Sequence, residues 1–507
     1  MNASENARLA SLKSIVQRCI LGFDASIFVE GSPASELADC HPLGYIFFRH
    51  HFDDCANLDD VQKLLDRVKA RHTHPLFLGL DQEGGQVERL PSRLFHGGLS
   101  PFTIGEVERL NPELHLAKRY YDWQSKGLAS LGFNLNFFPT LDAHLNPKNP
   151  IIGNRAFSSN PAEIKRLGKL AIEAQSAYGI QSVLKHYPGH GNGTVDSHLA
   201  LPTLEFSDAE ESSFVELMNP QNGQIPWVML AHGVYPHLQE AHTSLPASCD
   251  KQIVTKRLRD HWGFQGITIT DDLNMHGLLD AFDGDQVQAS LTALNAGVDV
   301  LLFREAGHRE RQIVEVLASA LVDGRLDVAT HEACLARLNQ AKTFLHSKER
   351  SVLLDTTWHH GIEALHEEAI NAILSDFQGV LNAKNTLVLE AVSSKLPHYA
   401  MEYKDGSLTQ SFLPETCTVY SYDENEFSQV ERTLKTHHGD VLIILWLPHL
   451  GQKLLELLEA RQKLTKSRTL ILNIGTPIEG ACPACEFINL GTARPLTLQK
   501  TLARLFS

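Results

Sequence analysis

The chain has 507 residues, 43% hydrophobic and 21% charged, an ordinary globular composition long enough for two domains that each bury a core. A formal net charge of −15 argues against a nucleic-acid or anionic-membrane binder, which would carry basic stripes. A small or neutral substrate fits better, and the eight scattered cysteines suit free thiols in a reducing cytoplasm.

The first twenty residues, MNASENARLASLKSIVQRCI, lack the charged start and apolar run of a signal peptide. The most apolar stretch, VLIILWL at 441–447, is too short to span a bilayer and reads as a core strand. Neither secretion nor membrane insertion is expected, and the expected location is the cytoplasm. From residue 1 to about 345, short apolar runs alternate with amphipathic stretches of helical length such as ELHLAKRYYDWQSKGLASL. The runs are LGFDASIF, LGYIFFRH, PLFLGLDQEGG, FNLNFFPTLDAH, SVLKHYPGH, WVMLAHGVYP, GITITDDLNM and VDVLLFRE, and nearly all end polar. Eight β-α units with polar residues at the strand ends predict an α/β fold opening with a TIM-like (β/α)8 barrel over 1–345, its active site on the loops that follow the strands.

Residues 346–385 read as a helical linker (HHGIEALHEEAINAILSDF). Over 386–507 come NTLVLEAV, TCTVYSYD, DVLIILWLP, RTLILNIG and CEFINLG, with helical text such as LGQKLLELLEARQKL between them. That pattern predicts a smaller C-terminal α/β domain with a mostly parallel sheet. It contains no glycine-rich nucleotide fingerprint. The lone C-x-x-C of Cys482 and Cys485 reads as two packed thiols, since no second pair accompanies it.

The polar tails carry the chemistry. In the third, DQEGGQVERL, Asp81 ends a strand and Arg89 follows; a buried ion pair is the bland reading, while the two glycines admit close approach of a ligand. The fourth leads to NPKNPIIGNRAF, where Arg155 taken alone would be a solvated arginine on a surface connector. The fifth, KHYPGHGNGTVDSH, admits three readings. A metal would use His186, His190, His198 and Asp196, but Pro188 and Gly189 preclude a helical histidine pair and no cysteine or glutamate adjoins. A phosphate loop would want its lysine after the glycines, and Lys185 precedes them. For proton transfer, Asp196 can orient the imidazole of His198 and stabilise its charged form. The same loop equally suits a turn cap with an exposed histidine. The sixth tail adds His232, read as a satisfied structural histidine. The seventh, GITITDDLNM, offers Asp271 and Asp272; one can cap the next helix, which leaves the other, Asp271 by preference, as a nucleophile at the barrel mouth.

Together DQEGGQVERL, NPKNPIIGNRAF, KHYPGHGNGTVDSH and TDDLNM resemble, in order, the motifs of family 3 glycoside hydrolases, in their β-N-acetylglucosaminidase (β-N-acetylhexosaminidase) branch. The resemblance spans about residues 10–345. It implies a barrel that removes terminal β-linked N-acetylglucosamine with retention, without metal or other cofactor. It makes Asp271 the nucleophile, His198 the acid/base and Asp196 its partner, and places Asp81, Arg89, Arg155, Lys185 and His186 around the sugar. Tyr187 stands where phenylalanine is usual, Asn154 where aspartate is common, and Asn274 and His276 depart after the nucleophile. Cell-wall (anhydromuropeptide) fragments in peptidoglycan recycling are the expected substrate, with chitin oligosaccharides as the alternative. Phosphorolysis is the competing reaction, because a neutral histidine admits phosphate more readily than a carboxylate would. A metal-dependent barrel hydrolase and a non-catalytic sugar-binding protein are the other classes weighed. No oligomeric state is specified by these patterns.

Overall fold

The computed structural model describes residues 3–96, 98–146, 149, 151–194, 200–219, 224–241, 243–347, 358–375, 381, 386–391, 418–422, 427–437, 440–445, 458, 468–473, 486–489 and 495–506. Eight parallel strands form a closed barrel: β1 (Cys19–Gly22), β2 (Gly44–Phe47), β3 (Phe77–Leu80), β4 (Leu135–Asn136), β5 (Gln181–Tyr187), β6 (Trp227–Leu230), β7 (Thr268–Asp272) and β8 (Val300–Phe303). Each pairs with its neighbours in sequence, and β1 closes on β8 with Cys19 opposite Leu301.

Side chains alternate across the barrel wall, as the two-residue period of a strand requires. Ile20, Ile46, Phe77, Val183, Trp227 and Ile269 fill the interior, where the Phe77 and Trp227 rings meet edge to face at 4.7 Å. Leu21, Tyr45, Phe47, Leu184, Leu230 and Phe303 belong instead to the larger core. Leu338 and Leu345, on the helix Val328–Ser347, join the interior cluster.

Two strands differ from the apolar runs. β1 begins two residues before LGFDASIF, and Ala25–Phe28 is a short 3-10 turn capped by Asp24, whose carboxylate accepts from the Ser26 N–H. β4 is only two residues long, because Pro139 cannot donate to a ladder; an isolated bridge from Thr140 to Lys185 resumes the pairing beyond it. Helices start on signals written in the sequence: Ser100–Pro101 and Asn160–Pro161 each supply a side-chain N-cap followed by proline.

A second, five-stranded sheet is wholly parallel: β9 (Thr386–Ala391), β10 (Thr418–Tyr422), β11 (Asp440–Leu445), β12 (Thr469–Asn473) and β13 (Glu486–Asn489), in the order β10-β9-β11-β12-β13. The apolar stretch at 441–447 supplies its central strand, with Val441, Leu442, Ile443 and Ile444 all buried, as a parallel strand covered on both faces requires. Cys482, Cys485 and most of LGQKLLELLEARQKL lie outside the described residues. Among the described residues no helix is long and apolar enough to cross a membrane.

Within the stretch read as a linker, the helix Trp358–Ile373 packs on Pro101–Leu110 and Leu116–Leu131 of the barrel and on the terminal helix Pro495–Phe506. Trp358 stacks on Trp123 at 4.7 Å, and each indole N–H donates to the other residue's carbonyl, at 3.0 and 3.1 Å. Two large rings with satisfied polar edges make this a strong clamp. Trp358→Ala is expected to cost about 3–5 kcal/mol, seen as a lower denaturation midpoint, and Trp358→Phe less. A midpoint unchanged in the alanine variant would show that the helix is held elsewhere.

Candidate active site

The carboxyl ends of the barrel strands meet at a cavity whose lining includes Asp81, Arg89, Arg155, Lys185, His186 and Asp271, beside His190, Asp272 and Arg304. The first six of these are among the eight residues expected at the site. Asp196 and His198 lie outside the described residues, which stop at 194 and resume at 200.

At the end of β3, Asp81 accepts from Lys185 Nζ at 2.8 Å and from Arg89 at 3.1 Å. Burial alone would raise its pKa, but Lys185 and Arg89 outweigh burial and hold it well below the usual carboxylate range. Asp81 and Arg89 form the ion pair, and both side chains also line the cavity.

Two residues on, Glu83 is fully buried and accepts from Lys185 at 2.6 Å and bidentately from Arg155 at 2.9 and 3.0 Å. Its pKa is lowered too: Arg155, then Lys185, outweigh the effect of burial. Arg155 is therefore no solvated connector residue. Its loop folds inward because a planar guanidinium matches the Glu83 carboxylate in two bonds, and the side chain is only 8% exposed.

β5 brings Lys185 and His186. The imidazole Nδ1 sits 2.6 Å from Asp142 Oδ2, Nε2 is 3.5 Å from Arg155 Nη2, and Nε2 is 4.0 Å from Asp271 Oδ2. Asp142 also accepts the His186 and His190 backbone N–H groups. Despite burial, the neighbouring His186 and His190 hold Asp142 below its ordinary value. The metal reading of this loop loses His186 Nδ1 to Asp142. His190, by contrast, lines the cavity with both ring nitrogens buried and unpartnered, and burial pushes it down to about 4.

The two aspartates of β7 divide. Asp272 Oδ1 accepts from the Asn274 and Arg304 backbone N–H groups at 3.0 and 3.3 Å, which makes it a turn-forming carboxylate; burial raises it to about 7. Asp271 faces the cavity with its side chain 23% exposed. His232 is the satisfied structural histidine expected, with Ser248 Oγ 2.8 Å from Nδ1 and the Asp272 carbonyl 3.2 Å from Nε2. Tyr187 also explains itself: its hydroxyl donates to Glu211, and it packs in the outer core rather than in the cavity.

The apolar lining comprises Ile46, Phe48, Val87, Ile151, Met229, Met275 and Leu302. The guanidiniums of Arg89 and Arg304 each lie 5.5 Å from the Phe48 ring centre. Sequence reasoning missed Glu83, Asp142, Phe48 and Arg304. Glu83 and Asp142 stood in polar tails already singled out, so the signal was there.

Behind the cavity, Glu210 Oε1 accepts the N–H groups of Ala143 and Gly191, both at 2.9 Å, and so ties the loop after β4 to that after β5. Asn149 adds a second tie, donating to the His190 and Gly191 carbonyls. The glycines are required by proximity: a Cβ on Gly191 would meet the Ala143 carbonyl at 1.9 Å, and Gly189 has φ +138 with Glu210 against it.

Residues 29–341 match the glycosyl hydrolase family 3 N-terminal domain. The chain is 30% identical over 420 residues to beta-hexosaminidase A of Pseudoalteromonas piscicida, covering 77% of this chain and 69% of that one. It is 32% identical over 268 residues to the beta-hexosaminidase of Idiomarina loihiensis, covering 51% and 75%. A family 3 beta-N-acetylglucosaminidase from Paenibacillus sp. superposes with a TM-score of 0.77 at 22% identity over 97% of this chain and 96% of that one, a likeness of fold that embraces both sheets.

Burial, and then the Asp142 charge, push the Glu210 carboxyl up to about 8 from an ordinary value of 4.5. Between those two values the folded chain keeps a proton that the unfolded chain has lost, so the stability contributed by this group falls as pH rises through that window. Glu210→Gln keeps the oxygen that receives both N–H groups and cannot titrate. The variant should therefore lose less thermal stability than the parent between about pH 5 and pH 9. Parallel melting curves that keep a constant offset across this range would show that Glu210 does not hold the proton.

Proposed function

The chain belongs to glycosyl hydrolase family 3, and from that membership we propose that it is a retaining exo-β-N-acetylglucosaminidase. The observation that carries the reading is Asp271: a carboxylate at a strand end, facing a cavity lined by charged groups, while its neighbour Asp272 is consumed by the turn. The beta-hexosaminidase names of the relatives support the substrate class.

In the proposed reaction Asp271 attacks the anomeric carbon while the imidazolium of His198 gives its proton to the departing oxygen, leaving a glycosyl ester on Asp271. His198, now neutral and oriented by Asp196, takes a proton from water as the water attacks the same carbon; the bond to Asp271 breaks, its carboxylate is regenerated, and the product keeps the β configuration. Asp81, held ionised by Lys185 and Arg89, is an acceptor for sugar hydroxyls. Arg89, Arg155, Lys185 and His186 supply donors. Nothing in this sequence of steps calls on a metal. The aglycone proposed is that of anhydromuropeptide fragments in cell-wall recycling within the cytoplasm. The five free, buried cysteines among the described residues suit that reducing compartment.

Turnover of an aryl β-N-acetylglucosaminide in phosphate buffer should release free N-acetylglucosamine; the sugar 1-phosphate in its place would establish phosphorolysis. Asp271→Ala should lower kcat on the order of 10³-fold or more with an unchanged melting temperature. A slow fluorinated substrate should label the peptide bearing Asp271, and a label on Asp272 would reassign the nucleophile.

His198→Ala should slow glycosylation by a natural disaccharide roughly 10²–10⁴-fold, because a sugar hydroxyl is a poor leaving group, and an activated aryl glycoside far less. Asp196→Ala should follow the same pattern more mildly. Equal impairment of both substrates would place the acid elsewhere.

A further inference from the structure

At the opposite end of the barrel from the cavity, three histidines converge. His41 immediately precedes Pro42 on the approach to β2, and His72 and His74 lie on the approach to the adjacent β3. One imidazole nitrogen from each lies within 4.8 Å of one from each of the others. The His74 ring centre is 4.6 Å from that of His41 and 5.2 Å from that of His72.

Hydrogen bonding sorts the nitrogens. His74 Nε2 is 3.0 Å from the Pro42 carbonyl; a carbonyl only accepts, so Nε2 carries the hydrogen and Nδ1 the lone pair. His72 Nε2 is 3.1 Å from the Tyr45 hydroxyl. The Nδ1 atoms of all three are buried and have no hydrogen-bond partner. One orphaned buried nitrogen is a cost that folded proteins usually avoid; three in one cluster call for a common partner. His41 also holds φ +63, a backbone region that residues with a Cβ seldom adopt.

We propose that His41, His72 and His74 form a binding site for a borderline divalent transition metal, zinc in the first instance, outside the catalytic cavity. Imidazole nitrogen suits zinc, cobalt, nickel and copper, whereas calcium and magnesium prefer oxygen. Engagement of the second ring nitrogen, by a carbonyl for His74 and a hydroxyl for His72, is the arrangement that fixes metal-binding imidazoles. Zinc–nitrogen bonds of about 2.0–2.1 Å in tetrahedral geometry set ligand nitrogens roughly 3.4 Å apart, so modest ring rotation closes the triad, with water as a fourth ligand.

Burial lowers the pKa of all three, His72 to about 4, so the rings stay neutral near pH 7. The nearby cations Lys13, Arg71 and Lys342 oppose a bound dication, while Asp39 favours it but is already engaged by Arg71. Affinity should accordingly be moderate. The metal would join the segments that enter β2 and β3, and its role is structural.

The test uses the full chain, stripped with chelator and titrated with zinc and separately with cobalt, with stoichiometry, melting temperature and aryl-glycoside turnover as readouts. The expected result is a class of site holding one ion per chain and a rise in melting temperature on loading. His41→Gln and the double variant His41→Gln/His74→Gln should lose one ion per chain and the thermal shift, with turnover by the metal-free proteins within about two-fold of the metal-free parent. Stoichiometry and thermal shift that persist in His41→Gln would overturn the proposal, as would failure of the parent to bind either ion. Because turnover is read separately, an inactive but metal-binding chain would refute the proposed reaction and leave this site standing.

Discussion

The structure turns on a buried carboxylate held by two buried cations. Glu83 is 0% exposed and Lys185 2%, and ions so placed are tolerable only when paired and well hydrogen-bonded. Arg155 supplies the fork and Lys185 the third contact. These partners come from the loop after β3, the loop after β4 and the end of β5, so the demand for charge balance fixes three loops at once. Asp81 and Arg89 extend the network to the cavity wall, giving three cations against two carboxylates. The surplus positive charge lies in the same cavity as the carboxylate of Asp271.

The two ends of the barrel carry different burdens. At the carboxyl end, charged groups are packed at a density that no core would choose, and hydrogen bonds between loops hold them in place. The amino end carries an apolar layer, in which Phe77, Trp227 and Ile267 pack with Leu338 and Leu345 of the helix Val328–Ser347, beside the His41, His72 and His74 cluster. The stacked tryptophans attach a further helix to the barrel flank. Rigidity from the apolar layers lets both ends keep orphaned polar atoms, the ring nitrogens of His190 at one and the Nδ1 atoms of His41, His72 and His74 at the other.

Much of this was legible in the sequence, and the residues show where legibility stops. Each of the eight apolar runs holds residues of a barrel strand, and all five later runs hold strands of the parallel sheet, because burial patterns and turn residues are local properties. The family was legible from four motifs and is the one that matches residues 29–341. Six expected site residues meet in one cavity. Arg155 was misread from its own loop because its partner, Glu83, stands 72 residues away, and nothing in NPKNPIIGNRAF specifies that pairing. Glu83 and Asp142 went unread for the same reason: their roles are to hold Lys185 and His186, and holding is a property of pairs. Pro139 did announce that β4 would be short, and the apolar run around it concealed the message.

The fixed frame also holds the described residues that flank 195–199. On the near side of residues 195–199, Tyr235 donates to the Gly189 carbonyl, Asn149 to those of His190 and Gly191, and Asn146 to that of Gly193. On the far side, the Leu204 N–H donates to the Val234 carbonyl and the Val234 N–H to that of Pro202, and Ser207 caps the helix that carries Glu210. That helix returns to the same glycines through Glu210. Both entrances to the segment bearing Asp196 and His198 are therefore pinned to the loops that place Asp142, His186 and His190. The Glu210 carboxylate, by receiving N–H groups from the loops after β4 and β5 at once, makes the position of Gly191 depend on the same helix that Ser207 caps, so the described residues on either side of 195–199 are held by one connected set of hydrogen bonds.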